Sequence, residues 1–118
     1  MKTINFVEDF LSAVQSNLDN LFVIPRGNSN DPEQRQKDPK AVCARHEFGS
    51  KVSAIVRTVI QSLTVSDFQK LQLDTDHNLG DLYVFRKKYR GVTLYVKLRL
   101  DSEDGGVVCH SFHEWTNK

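Results

Sequence analysis

Nine consecutive residues constrain the fold more than any others. Val92, Leu94, Val96, Leu98 and Leu100 alternate with Thr93, Tyr95, Lys97 and Arg99. Successive side chains of a strand point to opposite faces, so this period of two predicts a strand with one apolar face and one polar, basic face. Such a strand needs neighbours. Leu82–Arg86 supplies one, turned back by Arg90-Gly91, and a third is expected over about Val107–His113, after the polar turn Asp101–Gly106. In that third strand Val108 and Phe112 are expected to face the core beside His110, with Val107, Cys109, Ser111 and His113 opposite. The three strands are expected to form an antiparallel meander.

Upstream the period is 3.6. Val7, Leu11, Val14 and Leu18, widened by Phe6 and Phe10, predict an amphipathic helix over about 3–20, with Glu8, Asp9, Ser12, Gln15 and Ser16 turned to water. Leu21–Ile24 is a short strand candidate stopped by Pro25. Residues 26–38 contain no aliphatic or aromatic side chain; with nothing to bury, they are expected to be a mobile surface loop. Asp38-Pro39 opens a short helix to about Glu47, ending near Gly49. Val52, Ile55, Val56, Val59, Ile60 and Leu63 form the core stripe of the clearest helix, with Ser50 as its cap. Thr64–Asp67 resembles a capping sequence and predicts a helical turn through about Lys70, followed by a second polar loop over 74–80. Helices packed on the apolar face of a small antiparallel sheet give an α+β fold class. The 118 residues make one domain, 1–118, on a prior of roughly 100–200 residues per domain.

With 39% hydrophobic and 26% charged residues, disorder is excluded. Sixteen Lys and Arg against 15 Asp and Glu leave a net charge of +1, so any case for a polyanionic partner rests on where the charges lie. They are not evenly spread. Between Phe85 and Arg99 stand six basic residues (Arg86, Lys87, Lys88, Arg90, Lys97, Arg99) and no acid, interleaved with Tyr89 and Tyr95 and preceded by Tyr83. Cations to pair phosphates and flat rings to stack bases are the ingredients of a nucleic-acid-binding sheet face. The plainer account is that the cations blunt the solvent face and edges of an antiparallel sheet.

His113 is expected to share the polar face with Tyr95 and Lys97, where an imidazole can donate or accept a proton; an ordinary exposed strand-end histidine is the alternative. His110 and His113 have H-x-x-H spacing, but residues i and i+3 of a strand lie on opposite faces, so no metal site is expected. His110 is assigned to the core, while His46 and His77 carry no chemical signal. Cys43 fits a buried helix position and Cys109 the polar face, with neither marked as a nucleophile. Two distant cysteines without a C-x-x-C fit a reducing compartment. The start Met1–Glu8 meets an acid too early for a signal peptide, and no apolar run is long enough to cross a bilayer. A cytoplasmic chain without membrane partners or cofactors is therefore expected.

Three strings in order, Ser62-Leu-Thr-Val-Ser-Asp-Phe-Gln-Lys70, Leu94-Tyr-Val-Lys-Leu-Arg-Leu100 and Gly105-Gly-Val-Val-Cys-His-Ser-Phe-His113, resemble the MqsR-type toxins of bacterial toxin–antitoxin pairs. The match covers roughly residues 50–114. The resemblance implies a RelE-like fold and a metal-independent endoribonuclease that cuts mRNA and is neutralised by a cognate antitoxin protein. Carried over by position, it selects Lys70, Tyr95 and His113 as catalytic, with Lys97 and Arg99 beside them; Arg86 of the basic face joins Lys97 and Arg99 as an expected RNA-phosphate-binding cation. The chain departs from the family pattern at His113, where the family has a basic residue, and at Leu82, where a polar residue is expected. A non-catalytic RNA- or protein-binding module using the same basic face is the competing expectation, and an interaction protein with no nucleic-acid partner a further one.

Overall fold

The alternating strand, β4 (Val92–Leu100), lies at the centre of a five-stranded sheet of order β1-β5-β4-β3-β2. The computed structural model describes residues 3–73, 81–101 and 105–116. Among these, four α-helices accompany the sheet: α1 (Thr3–Ser16), α2 (Pro32–Gln36), α3 (Pro39–Arg45) and α4 (Val52–Gln61). The remaining strands are β1 (Leu21–Val23), β2 (Phe68–Leu73), β3 (Asp81–Tyr89) and β5 (Val107–Glu114). The α+β class is as expected. The sheet is not the simple meander: β2 to β5 run antiparallel to their neighbours, but β1 joins β5 in parallel, so the sheet is mixed. The polar loop at 74–80, His77 within it, residues 102–104 of the second turn and the first two residues lie outside the described residues.

One face of the sheet carries the core. Phe85, Leu94, Val96, Leu98, Val107, Cys109 and Phe112 pack against Val7, Phe10, Leu11 and Val14 of α1, Val42 and Cys43 of α3, and Ile55, Val56, Val59 and Ile60 of α4. The 3.6-residue stripes of the sequence become this layer, and area removed from water at about 25 cal/mol per Å² drives it. Gln15, expected in water, is half-buried and useful: its Nε2 donates to the carbonyls of Ile60 (3.1 Å) and Leu63 (3.0 Å), satisfying the end of α4. The α4 cap position is Lys51, one residue later than expected. Thr64 and Asp67 form the expected capping box, but it closes only a 3-10 turn (Val65–Asp67), and the chain then enters β2 instead of continuing as a helix to Lys70. Edge pairing with β3 overrides the local helical signal.

The turn between β3 and β4 uses the two residues that the sequence offers. Arg90 and Gly91 both have positive φ (50° and 82°), the geometry of a two-residue turn whose twist matches that of the strands it joins. From Tyr83↔Leu98 to Tyr89↔Val92 the β3–β4 register is unbroken. This puts Tyr83, Phe85, Lys87 and Tyr89 on the helix side. Tyr83 stacks on Phe10 (3.6 Å between centroids) and Tyr89 meets Phe48 edge-on (4.9 Å), so neither tyrosine lies on the basic face. Lys87 is likewise on the helix side, donating to the Ser62 carbonyl at 3.1 Å.

Candidate functional site

On the face away from the helices, cross-strand pairing builds two adjacent rows. Lys70, Val84, Lys97 and Ser111 stand side by side from β2 to β5; Arg86, Tyr95 and His113 form the next row. The expected grouping of Tyr95, Lys97, Arg99 and His113 opposite Val96, Leu98 and Phe112 is thus what the register produces. It comes about by an unexpected route. Val107 and Cys109 pair with Leu100 and Leu98 and face the core, which by simple alternation would send His113 there too. A β-bulge between Cys109 and Ser111 inserts His110 as an extra residue, and beyond it Phe112 pairs with Val96 while His113 pairs with Tyr95.

Three expectations fall with the bulge. Cys109 is not on the polar face but 1% exposed in the core, where desolvation pushes its thiol up to about 12. Val108, expected inside, pairs with Arg99 on the open face. His110, assigned to the core, is half-buried and approaches Arg99 Nε through Nε2 at 3.3 Å.

The open face is hollowed into a groove of about 520 Å³ lined by Lys70, Tyr95, Lys97, Ser111, His113 and Trp115, with Arg26, Gln34 and Lys37 among the residues of its opposite wall. Lys70, Tyr95, Lys97 and His113 are therefore brought together. Arg86 stands beside the groove, its guanidinium 5.3 Å from the Trp115 ring. Arg99 does not line it.

Three rings lie side by side, one pair stacked and the other tilted. His113 lies nearly parallel to Tyr95 (5.0 Å, 10°), and Tyr95 is 5.5 Å from Trp115, with Lys97 Nζ 6.0 Å from the Tyr95 centroid. His113 Nδ1 is 2.9 Å from the Glu114 carbonyl oxygen. A carbonyl only accepts, so Nδ1 carries the proton, and in the neutral ring Nε2 holds the lone pair. Burial lowers the pKa of His113, reinforced by Lys37 and Arg26 and opposed by the Glu114 contacts, which favours that neutral ring. Burial raises Tyr95 against the pull of Arg26, keeping its hydroxyl protonated. Tyr95 is thereby a donor.

The far wall was invisible to apolar patterning. Residues 26–38, expected to be an unstructured loop, contain α2, whose N-terminus is capped by the Asp31 side chain on Glu33 N at 3.0 Å. The segment is anchored through polar groups. Asp38, a buried carboxylate, accepts from Arg26 N at 2.7 Å, and Arg26 donates through Nη1 to Gln34 (2.9 Å) and through Nη2 to the His110 carbonyl (2.7 Å) and Ser111 Oγ (3.2 Å). Beside the groove, Glu114 accepts both nitrogens of the Arg45 fork and meets His46 Nε2 at 2.6 Å, so His46 has a structural role no motif announced. Burial alone would raise the Glu114 carboxyl, but hydrogen bonds, including those to His46 and Arg45, hold it below its ordinary value.

Among the described residues no cluster of three or more His, Cys, Asp or Glu side chains could hold a metal ion, and no helix is long and apolar enough to cross a membrane. No protein-family model matches the chain, and no curated protein or solved structure matches it significantly.

Proposed function

We propose that this chain is the toxin of a toxin–antitoxin pair: an MqsR-type, RelE-like, metal-independent endoribonuclease that cleaves mRNA in the cytoplasm and is restrained by a cognate antitoxin protein. The observation that carries this reading is the convergence of Lys70, Tyr95, Lys97 and His113, from β2, β4 and β5, on one cationic, aromatic groove.

In the proposed reaction His113 Nε2 takes the proton of an RNA 2′-hydroxyl. The 2′-oxygen attacks the adjacent phosphorus, the bond from phosphorus to the 5′-oxygen breaks, and the Tyr95 hydroxyl protonates the departing oxygen. The products are a 2′,3′-cyclic phosphate and a 5′-hydroxyl end. Lys70 and Lys97 offset the charge that builds on the phosphoryl oxygens, while Arg86 and Arg99 hold flanking phosphates. The directions of the two shifts suit these roles: a histidine kept neutral is a base, and a tyrosine kept protonated is an acid. Base, acid and charge all come from side chains, so the scheme needs no metal.

Expression in bacteria tests the proposal. The wild-type chain should arrest growth and leave cyclic-phosphate ends on RNA, and a His113→Ala/Tyr95→Phe variant should do neither. A non-catalytic RNA- or protein-binding module would be benign in both forms, and that result would replace the proposal.

A further inference from the structure

The direction in which His113 points depends on one inserted residue. Bulges interrupt a ladder and weaken it locally, so a bulge that sets the parity of a functional strand must be held in place. The side chain that spans this one comes from far away in sequence. β1 runs parallel to β5, with Ile24 N donating to the Cys109 carbonyl at 3.0 Å, and this pairing delivers the next residues to the bulge. There Arg26 Nη2 donates both to the carbonyl of the bulged residue, His110, and to the hydroxyl of Ser111, where regular alternation resumes. The arginine is itself fixed at two further points, by Asp38 on its backbone N–H and by Gln34 on Nη1. Its Nε is buried with no hydrogen-bond partner, an unfavourable arrangement kept alongside the contacts to the bulge.

We propose that Arg26 is a positioning residue: by clamping the β5 bulge it holds His113 on the groove face, stacked on Tyr95. The proposal rests on the endoribonuclease reading for its catalytic consequence, but not for its structural one. Lysine cannot replace it, because an ammonium lacks the planar fork that spans a carbonyl and a hydroxyl while a second nitrogen reaches Gln34. Arg26 acts through His113, so its loss should spare RNA binding far more than the cleavage step.

The test uses the full chain and its Arg26→Lys, Arg26→Gln and Ser111→Ala variants. The first readout is NMR of the His113 ring. In the wild type its protons should show the ring-current shift and cross-relaxation of a ring stacked on Tyr95; both should diminish in Arg26→Lys and Arg26→Gln, and less so in Ser111→Ala. The second is single-turnover RNA cleavage beside filter binding: the two Arg26 variants should cleave on the order of 10²-fold more slowly, since small misplacements of a reacting group carry losses of that size, while binding should change several-fold at most in Arg26→Lys, which keeps the charge that Arg26→Gln removes from the groove. Unchanged His113 signals in the variants that fold overturn the proposal, whatever their activity. A wild-type chain that shows the stacked signature but cleaves no RNA removes the endoribonuclease reading instead, and the ring signals of the variants still decide the clamp.

Discussion

The two strand ladders that flank β4 differ in one respect with large consequences. Toward β3 the register runs unbroken from Tyr83↔Leu98 to Tyr89↔Val92, and every side chain lies where alternation puts it. Toward β5 the register shifts once, at His110, so residues before and after the shift obey opposite parities. The regular ladder contributes to core and open face by strict alternation, with Phe85 against Val96 inside and Arg86 beside Tyr95 outside. The broken ladder contributes both core and groove: Val107, Cys109 and Phe112 face inward although they do not share a parity, and His113 faces out beside Tyr95. A single extra residue thus lets one short strand pack the core at both ends and still present a polar, titratable group at one of them.

Phe112→Ala would damage the broken ladder most severely. Losing the burial of this ring should cost about 3–5 kcal/mol, the range for removing a buried phenyl ring, as measured by urea unfolding. Deleting His110 should instead leave Phe112 inside and His113 outside, because removing the extra residue restores alternation on the faces they already occupy. A deletion variant whose His113 ring leaves Tyr95 for the core would mean that His110 is not the residue that sets the parity of the strand. Next in size is His113→Ala, expected to slow single-turnover RNA cleavage by about 10²–10⁴-fold while leaving binding nearly intact. Cleavage at the wild-type rate would move the proton role to Tyr95 or Lys70.

The cations sharpen the comparison with smaller effects. Lys97→Ala should weaken RNA binding and lower its salt slope by about one unit, because it removes a cation from the groove. Arg99→Ala, beyond the bulge and engaged with His110, should change the slope less. A salt slope unchanged by Lys97→Ala would show that the groove is not where RNA lies.

The pH dependence follows from the direction of the His113 shift. Its pKa in the folded chain is lowered from 6.5, which favours the active, neutral base at neutral pH, and cleavage should rise with pH through a midpoint below 6.5. The unfolded chain binds the proton more tightly, so stability is highest above the unfolded value and falls as pH drops toward the folded one. Glu114, lowered from 4.5, adds a second loss at more acidic pH. The smallest expected effect is none: cleavage should survive EDTA, and a loss restored by a divalent cation would discard the proposed mechanism.

Patterning reached α1, α3, α4 and the unbroken ladder because their information is local. Val52, Ile55, Val56, Val59 and Ile60 form a helical stripe in any context that offers a core, and the Arg90-Gly91 turn places β3 and β4 in register through the conformation of two residues. The strand β2 was hidden behind a sound capping box, since it is pairing with β3 that draws Phe68–Leu73 into the sheet. The bulge carries no glycine or proline to mark it. A trace of it was there, however: Val107, Cys109 and Phe112 cannot all face one core by strict alternation. Arg26 left no such trace, because a search for apolar periodicity passes over a segment whose anchors are a carboxylate, an amide and a guanidinium.

By itself, the sequence determined the α+β class, the helical stripes, the two faces of β4 and the concentration of cations around its polar side. These follow from side-chain periodicity and backbone preference, which act over a few residues. Only the tertiary structure decided that β1 would lie parallel to β5, that His110 would be the inserted residue, and that Arg26, 84 positions from the carbonyl it holds, would close one wall of the groove. Those choices depend on which partners fill the remaining hydrogen-bonding sites of a sheet once its apolar face is covered. That competition is settled across the whole chain, and no local pattern records its outcome.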